Sequence, residues 1–142
     1  MIALGSDHGG YDLKKTVIEY LEEKNIPYED FGCYDKTSCD YPEFGRAAAR
    51  AVASGECEKG IVICTTGIGI SMVANKIKGI RAALCTDPYS AKMTRLHNDA
   101  NVLALGGGII GKNMALEIVE VFLNTEFSQG ENHIRRIGQL ED

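Results

Sequence analysis

Five short apolar runs, each followed by a stretch with helical spacing, constrain this chain more than any other feature. The clearest is Gly60-Ile61-Val62-Ile63, β-branched and apolar, as suits a central parallel strand covered on both faces. It runs into Cys64-Thr65-Thr66-Gly67-Ile68-Gly69 and then a helix over about Ile70 to Ile77. Ile2-Ala3-Leu4 is a first strand, followed by Leu13, Val17, Ile18 and Leu21 at helical spacing up to about Lys24. Tyr28 to Phe31 is a weaker second strand, and Pro42 opens an alanine-rich helix. Ile80 to Cys85 leads into a helix opened by Asp87-Pro88 and running to about His97. Val102 to Leu105 is the fifth strand, with Gly106-Gly107-Gly108 after it and a helix over Gly111 to Leu123. A short helix is expected near His133 to Leu140.

This alternation predicts an α/β fold: a doubly wound (Rossmann/flavodoxin-like) five-stranded parallel sheet with helices on both faces. Right-handed crossovers favour the strand order 2-1-3-4-5. Ligands of such sheets bind beyond the carboxyl ends of the strands, at the switch between strands 1 and 3. That rule selects two loops before any chemistry is considered, Ser6 to Gly10 and Cys64 to Ser71.

The 142 residues suit a single domain, 1–142, with no internal repeat and no linker. Fifteen basic against 20 acidic residues leave a net charge of −5 with no run of Lys or Arg, which argues against nucleic acid and anionic membranes. No segment reaches the ~20 apolar residues of a membrane span, and the start carries no basic leader, so a cytoplasmic location is expected. Five cysteines (Cys33, Cys39, Cys57, Cys64, Cys85) are an odd number without a C-x-x-C, and there are three histidines. Reduced thiols and no metal site are the natural reading. Cys85 is expected to be buried at a strand end, and Cys33, Cys39 and Cys57 to be loop or edge bystanders.

The Cys64 to Ser71 loop is a glycine-containing turn between strand and helix, where unpaired backbone N–H groups can hold an anion. It is not a Walker A loop, has half of a G-x-G-x-x-G fingerprint, and has Ile70 where a Cys-x5-Arg phosphatase loop needs arginine. A plain tight turn with a buried cysteine is the competing reading. Cys64 stands at a strand end beside a helix N-terminus, a setting that favours a thiolate as base or nucleophile. Asp7-His8 faces the same crevice and suits sugar hydroxyls or proton transfer, against the simpler role of Asp7 as a helix cap. His97 closes a helix, where a histidine also complements the dipole. His133 and Arg135-Arg136 lie in the tail, and the two adjacent arginines are either solvated or reach an anion in a neighbouring subunit.

Taken together, Ser6-Asp7-His8-Gly9-Gly10, Asp40-Tyr41-Pro42, the Cys64 to Ser71 loop with Ala74-Asn75-Lys76, Gly79-Ile80-Arg81-Ala82 and His97-Asn98-Asp99-Ala100-Asn101 resemble type B ribose-5-phosphate isomerase, a family that includes the galactose-6-phosphate isomerase subunits. The resemblance runs from residue 2 to about residue 137. It implies an aldose–ketose isomerase of carbohydrate metabolism (the pentose phosphate pathway), acting on ribose 5-phosphate and ribulose 5-phosphate without cofactor or metal. It further implies a homodimer or dimer of dimers with sites between subunits, the tail at about 125–142 packing on a partner. By the same resemblance Cys64 is the base, Thr66 assists, and the amides of Gly67, Ile68, Gly69, Ile70 and Ser71 hold the enediolate oxygen. Asp7 and His97 serve ring opening and sugar binding, with Tyr41 and Asn98 nearby, and His8 and Arg136 serve the phosphate.

The chain departs from that pattern at three places. Thr65 stands where the family has glycine, and Gly108 and Asn132 stand where it has arginines, with Glu131 adding a negative charge. The expectation is a phosphate held differently, or weaker discrimination between phosphorylated and free sugars, with Arg135, Arg136, Lys112 and His8 as the available groups. An isomerase of another sugar is the alternative, and a non-catalytic sugar-phosphate-binding module a third reading. Against the third, binding alone requires no thiol.

Overall fold

The computed structural model describes residues 1–141; Asp142, the last residue of the expected tail, lies outside the described residues. The strands are β1 (Ile2–Ser6), β2 (Tyr28–Asp30), β3 (Lys59–Cys64), β4 (Ala82–Leu84) and β5 (Val102–Gly106), all parallel in one sheet. The helices are α1 (Tyr11–Glu23), α2 (Tyr41–Ala53), α3 (Ile68–Asn75), α4 (Pro88–Asn98), α5 (Lys112–Asn124) and α6 (Glu131–Ile137). A 3-10 turn, His8–Gly10, precedes α1.

The sheet order is β2-β1-β3-β5-β4, which corrects the expected 2-1-3-4-5. Burial decides the exchange. All five residues of β5 are buried, so it needs a strand on each side, and it pairs with both β3 and β4. β4 has three residues, and its Leu84 is 38% exposed, so it takes the edge. The switch between β1 and β3 is unaffected, and both loops singled out in the sequence leave the carboxyl ends of neighbouring strands.

Period-two alternation along the strands divides the core into two layers. Leu4, Ile61, Ile63, Leu103 and Leu105 face α1, α4 and α5, which bury Leu13, Val17, Leu21, Ala91, Ile118, Val119 and Phe122. Ala3, Val62, Val102 and Ala104 face α2 and α3, which bury Ala48, Ala49, Val52, Ile70 and Ala74.

Among the described residues, Lys14 is the most deeply buried charged side chain. Lys14 in α1 is 1% exposed; its ammonium lies 2.8 Å from Asp30 Oδ1 and also donates to the Cys33 carbonyl. It ties α1 to the segment that follows β2. Cys33 and Cys57 lie in loops, as expected, and are buried there; Cys85 is buried as expected.

Candidate active site

The β3–α3 loop is shaped by Gly67, which has φ +78°. That left-handed conformation turns the chain sharply into α3. A Cβ on Gly67 would lie 2.9 Å from the Leu105 carbonyl oxygen, so the turn is pressed onto the end of β5. The Gly67 amide donates to Cys64 Sγ at 3.1 Å. The Ile68 amide donates to Thr66 Oγ1 at 3.2 Å, and the Ser71 amide to the Gly67 carbonyl at 3.2 Å. Of the five amides expected to face an oxyanion, three are thus engaged within the loop. Gly69 and Ile70, in the first turn of α3, lack a carbonyl one turn back within the helix.

Cys64 lines a cavity of about 410 Å³ together with Asp7, Tyr41, Thr65, Thr66, Ile68 and Gly69. Asp7 is 6% exposed and caps the 3-10 turn, accepting from the Gly10 amide at 3.1 Å. Capping and a place in the cavity coexist in this one side chain. Tyr41 opens α2 against Gly69, where an added Cβ would fall 2.6 Å from the ring. His8 is exposed, and its Nδ1 accepts from the Cys39 amide at 3.2 Å, which leaves Nε2 as the outward-facing nitrogen. Thr65, also exposed, fills the space between Gly9 and Gly108; a Cβ on Gly108 would sit 2.9 Å from Thr65 Cγ2.

The remaining predicted residues lie elsewhere on the chain. His97, Asn98 and Arg136 line a second cavity of about 220 Å³ with His133, Ile137 and Leu140. Its position follows from the topology. Cys64 pairs with Gly106 at the carboxyl end of the sheet, whereas α4 runs back to the end where Gly60 pairs with Val102. A rise of ~3.3 Å per residue separates those ends of β3 by roughly 13 Å. Within one chain Cys64 and His97 therefore do not share a cavity.

His133 is the site residue that the sequence left unassigned. Its ring stacks on His97 with centroids 4.4 Å apart and an interplanar angle of 18°. No spacing signal links residues so far apart in the chain. Partial burial, then the neighbouring His97 and Arg136, hold the His133 imidazole below its ordinary 6.5. Among the other thiols, burial aided by Asp87 pushes Cys85 up to about 11. Burial raises Cys39 as well, with Cys33 and Asp7 adding to it and the contact with His8 opposing it. Among the described residues no three His, Cys, Asp or Glu side chains gather as metal ligands.

A family model described as Ribose/Galactose Isomerase matches residues 2–140. A putative sugar phosphate isomerase of Bacillus subtilis is 48% identical over 142 residues, covering 99% of this chain and 95% of that protein. Ribose-5-phosphate isomerase B of Escherichia coli is 43% identical over 136 residues, 96% of this chain and 91% of its own. The solved structure of Clostridium thermocellum ribose-5-phosphate isomerase B superposes with a TM-score of 0.96 at 52% identity, covering 98% of this chain and 93% of that one.

Proposed function

The chain belongs to the ribose/galactose isomerase family, and from that premise we propose that it interconverts ribose 5-phosphate and ribulose 5-phosphate, with the Cys64 thiolate as base. The observation that carries the assignment is the Cys64 sulfur, 3.1 Å from the Gly67 amide, in one cavity with Asp7, Tyr41 and Thr66 at the start of α3.

The sugar arrives mostly as a ring. Opening it removes a proton from the anomeric hydroxyl and delivers one to the ring oxygen, the task of Asp7 and His97. Cys64 then takes the proton from C2; the C1–C2 double bond forms and the carbonyl electrons move to O1. The amide of Gly69, which lines the cavity, stabilises that oxyanion as a fixed dipole, with the Ile70 amide next to it in the first turn of α3, and no metal is needed for it. A proton passes from O2 to O1 past the Thr66 hydroxyl, and Cys64 returns its proton to C1, leaving the carbonyl at C2. Gly67 serves the base, while Ile68 and Ser71 hold the turn: the Ser71 hydroxyl donates to the Ile68 carbonyl at 2.7 Å. Tyr41 and Asn98 contact sugar hydroxyls, and His8 and Arg136 the phosphate.

His97 and Cys64 stand at opposite ends of the sheet in one chain, so for both to serve one sugar they must come from different copies. The active unit is accordingly a homodimer with shared sites. α6 buries none of its own residues, and Ile134 and Leu140 are 50% and 63% exposed, which suits a tail lying against the partner. No helix among the described residues is long and apolar enough to cross a membrane, and a cytoplasmic enzyme of sugar-phosphate metabolism fits this reading.

Gly108 favours a second reading of the substrate. Any side chain at that position must first displace the Thr65 methyl group, 2.9 Å from its Cβ, and with glycine there Arg136 and His8 carry the phosphate with less help. The test is kcat/KM for ribose 5-phosphate, hexose 6-phosphates and free ribose. Ribose 5-phosphate is expected to be the best of them, and a hexose phosphate turned over faster would overturn the substrate assignment while keeping the chemistry.

A further inference from the structure

Gly79-Ile80-Arg81-Ala82 and Asn75 have no part in the chemistry above, yet they converge on the end of α4 that carries His97 and Asn98. Arg81 Nε donates to the Asn98 carbonyl at 3.0 Å and to the Asp99 carbonyl at 3.1 Å, and Nη2 to the Asp99 carbonyl at 2.9 Å. Its amide donates to Asn101 Oδ1 at 2.8 Å, and Asn101 Nδ2 donates to the Gly79 carbonyl at 2.9 Å. Asn75, the last residue of α3, brackets Ala82: Nδ2 donates to its carbonyl at 3.0 Å, and Oδ1 accepts from its amide at 2.8 Å. The strand next to Arg81 is thereby pinned to the helix that follows the Cys64 loop.

Asp99, directly after α4, has φ +46° and ψ +45°. A non-glycine residue keeps that left-handed conformation only where its surroundings over-determine it. Here they do. Arg95, 6% exposed, donates to Asp99 Oδ1 at 2.8 Å and to the Ala100 and Thr125 carbonyls at 2.7 and 2.9 Å. The Asp99 carboxylate also lies 3.6 Å from Arg81. His97 and Asn98 are themselves exposed, so the direction of the last turn of α4 decides where they point. Carbonyls at a helix end have no intrahelical donor, and one planar guanidinium satisfies two of them at once. A lysine offers a single point of attachment and sets no plane.

We propose that Arg81 is a positioning residue for His97: anchored through Asn101 and Asn75, it fixes the last turn of α4 and so the imidazole that acts on the sugar ring. The proposal rests on the ring-opening role given to His97, and substrate chemistry separates the two. Ribose 5-phosphate closes a furanose through O4. Erythrose 4-phosphate carries its phosphate on O4 and closes no such ring, so it bypasses ring opening.

The experiment measures kcat and KM on both sugars for the unmodified enzyme, His97→Ala, Arg81→Met and Arg81→Lys, with iodoacetamide alkylation of Cys64 as a second readout. Arg81→Met is expected to lower kcat on ribose 5-phosphate by ~100-fold, as misplacement of a catalytic group does. The Cys64 alkylation rate should change by less than about 3-fold, and turnover of erythrose 4-phosphate, which needs no ring opening but still meets Asn98 and Arg136, should fall about tenfold less than that of ribose 5-phosphate. Arg81→Lys, the variant with the milder effect on folding, should show the same split at smaller size. If the enzyme does not turn over the tetrose, a ribose 5-phosphate loss with unchanged alkylation supports the proposal. If His97→Ala shows the split but the folded Arg81 variants lose both substrates equally, or lose neither, the positioning role is overturned. If Arg81→Met changes the alkylation rate, Arg81 acts on the Cys64 loop and the proposal is again overturned. Should His97→Ala itself leave ribose 5-phosphate turnover intact, the ring-opening role fails, and the proposal fails with it.

Discussion

Replacing Gly67 with alanine tests how tightly the base-bearing loop is built. Two penalties are expected. An L-residue at φ +78° costs about 1–2 kcal/mol. The new methyl group would also meet the Leu105 carbonyl oxygen at 2.9 Å and Leu84 Cδ1 at 2.6 Å. The first is backbone of a central strand and cannot give, so overpacking adds about 1–3 kcal/mol. Gly79 supplies the matched control: its φ is +88°, but a Cβ there has no atom within 4 Å. Gly79→Ala therefore carries the conformational penalty alone. For a chain of this length 1 kcal/mol shifts Tm by about 3 °C, so Gly67→Ala should melt about 6–15 °C lower and Gly79→Ala about 3–6 °C lower. Calorimetry on both variants gives the difference, and the Gly67 variant should also lose turnover, because the amide that meets Cys64 Sγ shifts. Equal melting points would refute the claim that the loop is pressed onto β5.

Iodoacetamide at pH 8 should label Cys64 before Cys85, since burial holds the Cys85 thiol at about 11, and ribose 5-phosphate should protect; mass spectrometry after digestion identifies the labelled site. NMR titration should find His133 below 6.5, and both His97→Ala and Arg136→Met should raise it. The sign for stability follows: below about 6.5 the unfolded chain binds that proton more readily than the folded one, so this contribution falls as the pH drops through 6.5. Gly108→Arg alone should give little gain in preference for phosphorylated over free ribose, whereas Thr65→Gly with Gly108→Arg should increase it about tenfold or more, as a charge-assisted contact is gained; kcat/KM on the two sugars decides.

The elements were legible because their apolar spacing is regular: Ile61-Val62-Ile63 cannot be solvated on either face, and Leu13, Val17 and Leu21 make a helical stripe. The loops at the ends of β1 and β3 were legible because a parallel sheet exposes its chemistry there. The order of β4 and β5 was not, since sequence adjacency says nothing about which strand is buried on both edges. Nor was the use of the loop amides. That Gly67 and Ile68 spend theirs on Cys64 and Thr66 depends on side-chain placement within two or three residues. The His97–His133 stack and the Thr65–Gly108 contact join distant parts of the chain, and no periodicity reports them. Lys14 was hidden for the opposite reason: a charged residue in a helix reads as solvated until Asp30 and the Cys33 carbonyl are seen around it.

The central claim is a site built from Cys64 of one copy and His97 of another, and subunit mixing tests it most directly. Cys64→Ala and His97→Ala should each be nearly inactive alone, losing ~10²–10⁴-fold on ribose 5-phosphate. Unfolded together and refolded as an equimolar mixture, they form hybrid dimers in which one site holds both variant residues and the other holds neither. With random pairing the mixture should recover about a quarter of wild-type activity. Hybrid dimers verified by native mass spectrometry that remain as inactive as the parents would contradict the shared site, and a Cys64→Ala enzyme with near-normal turnover would remove Cys64 as the base.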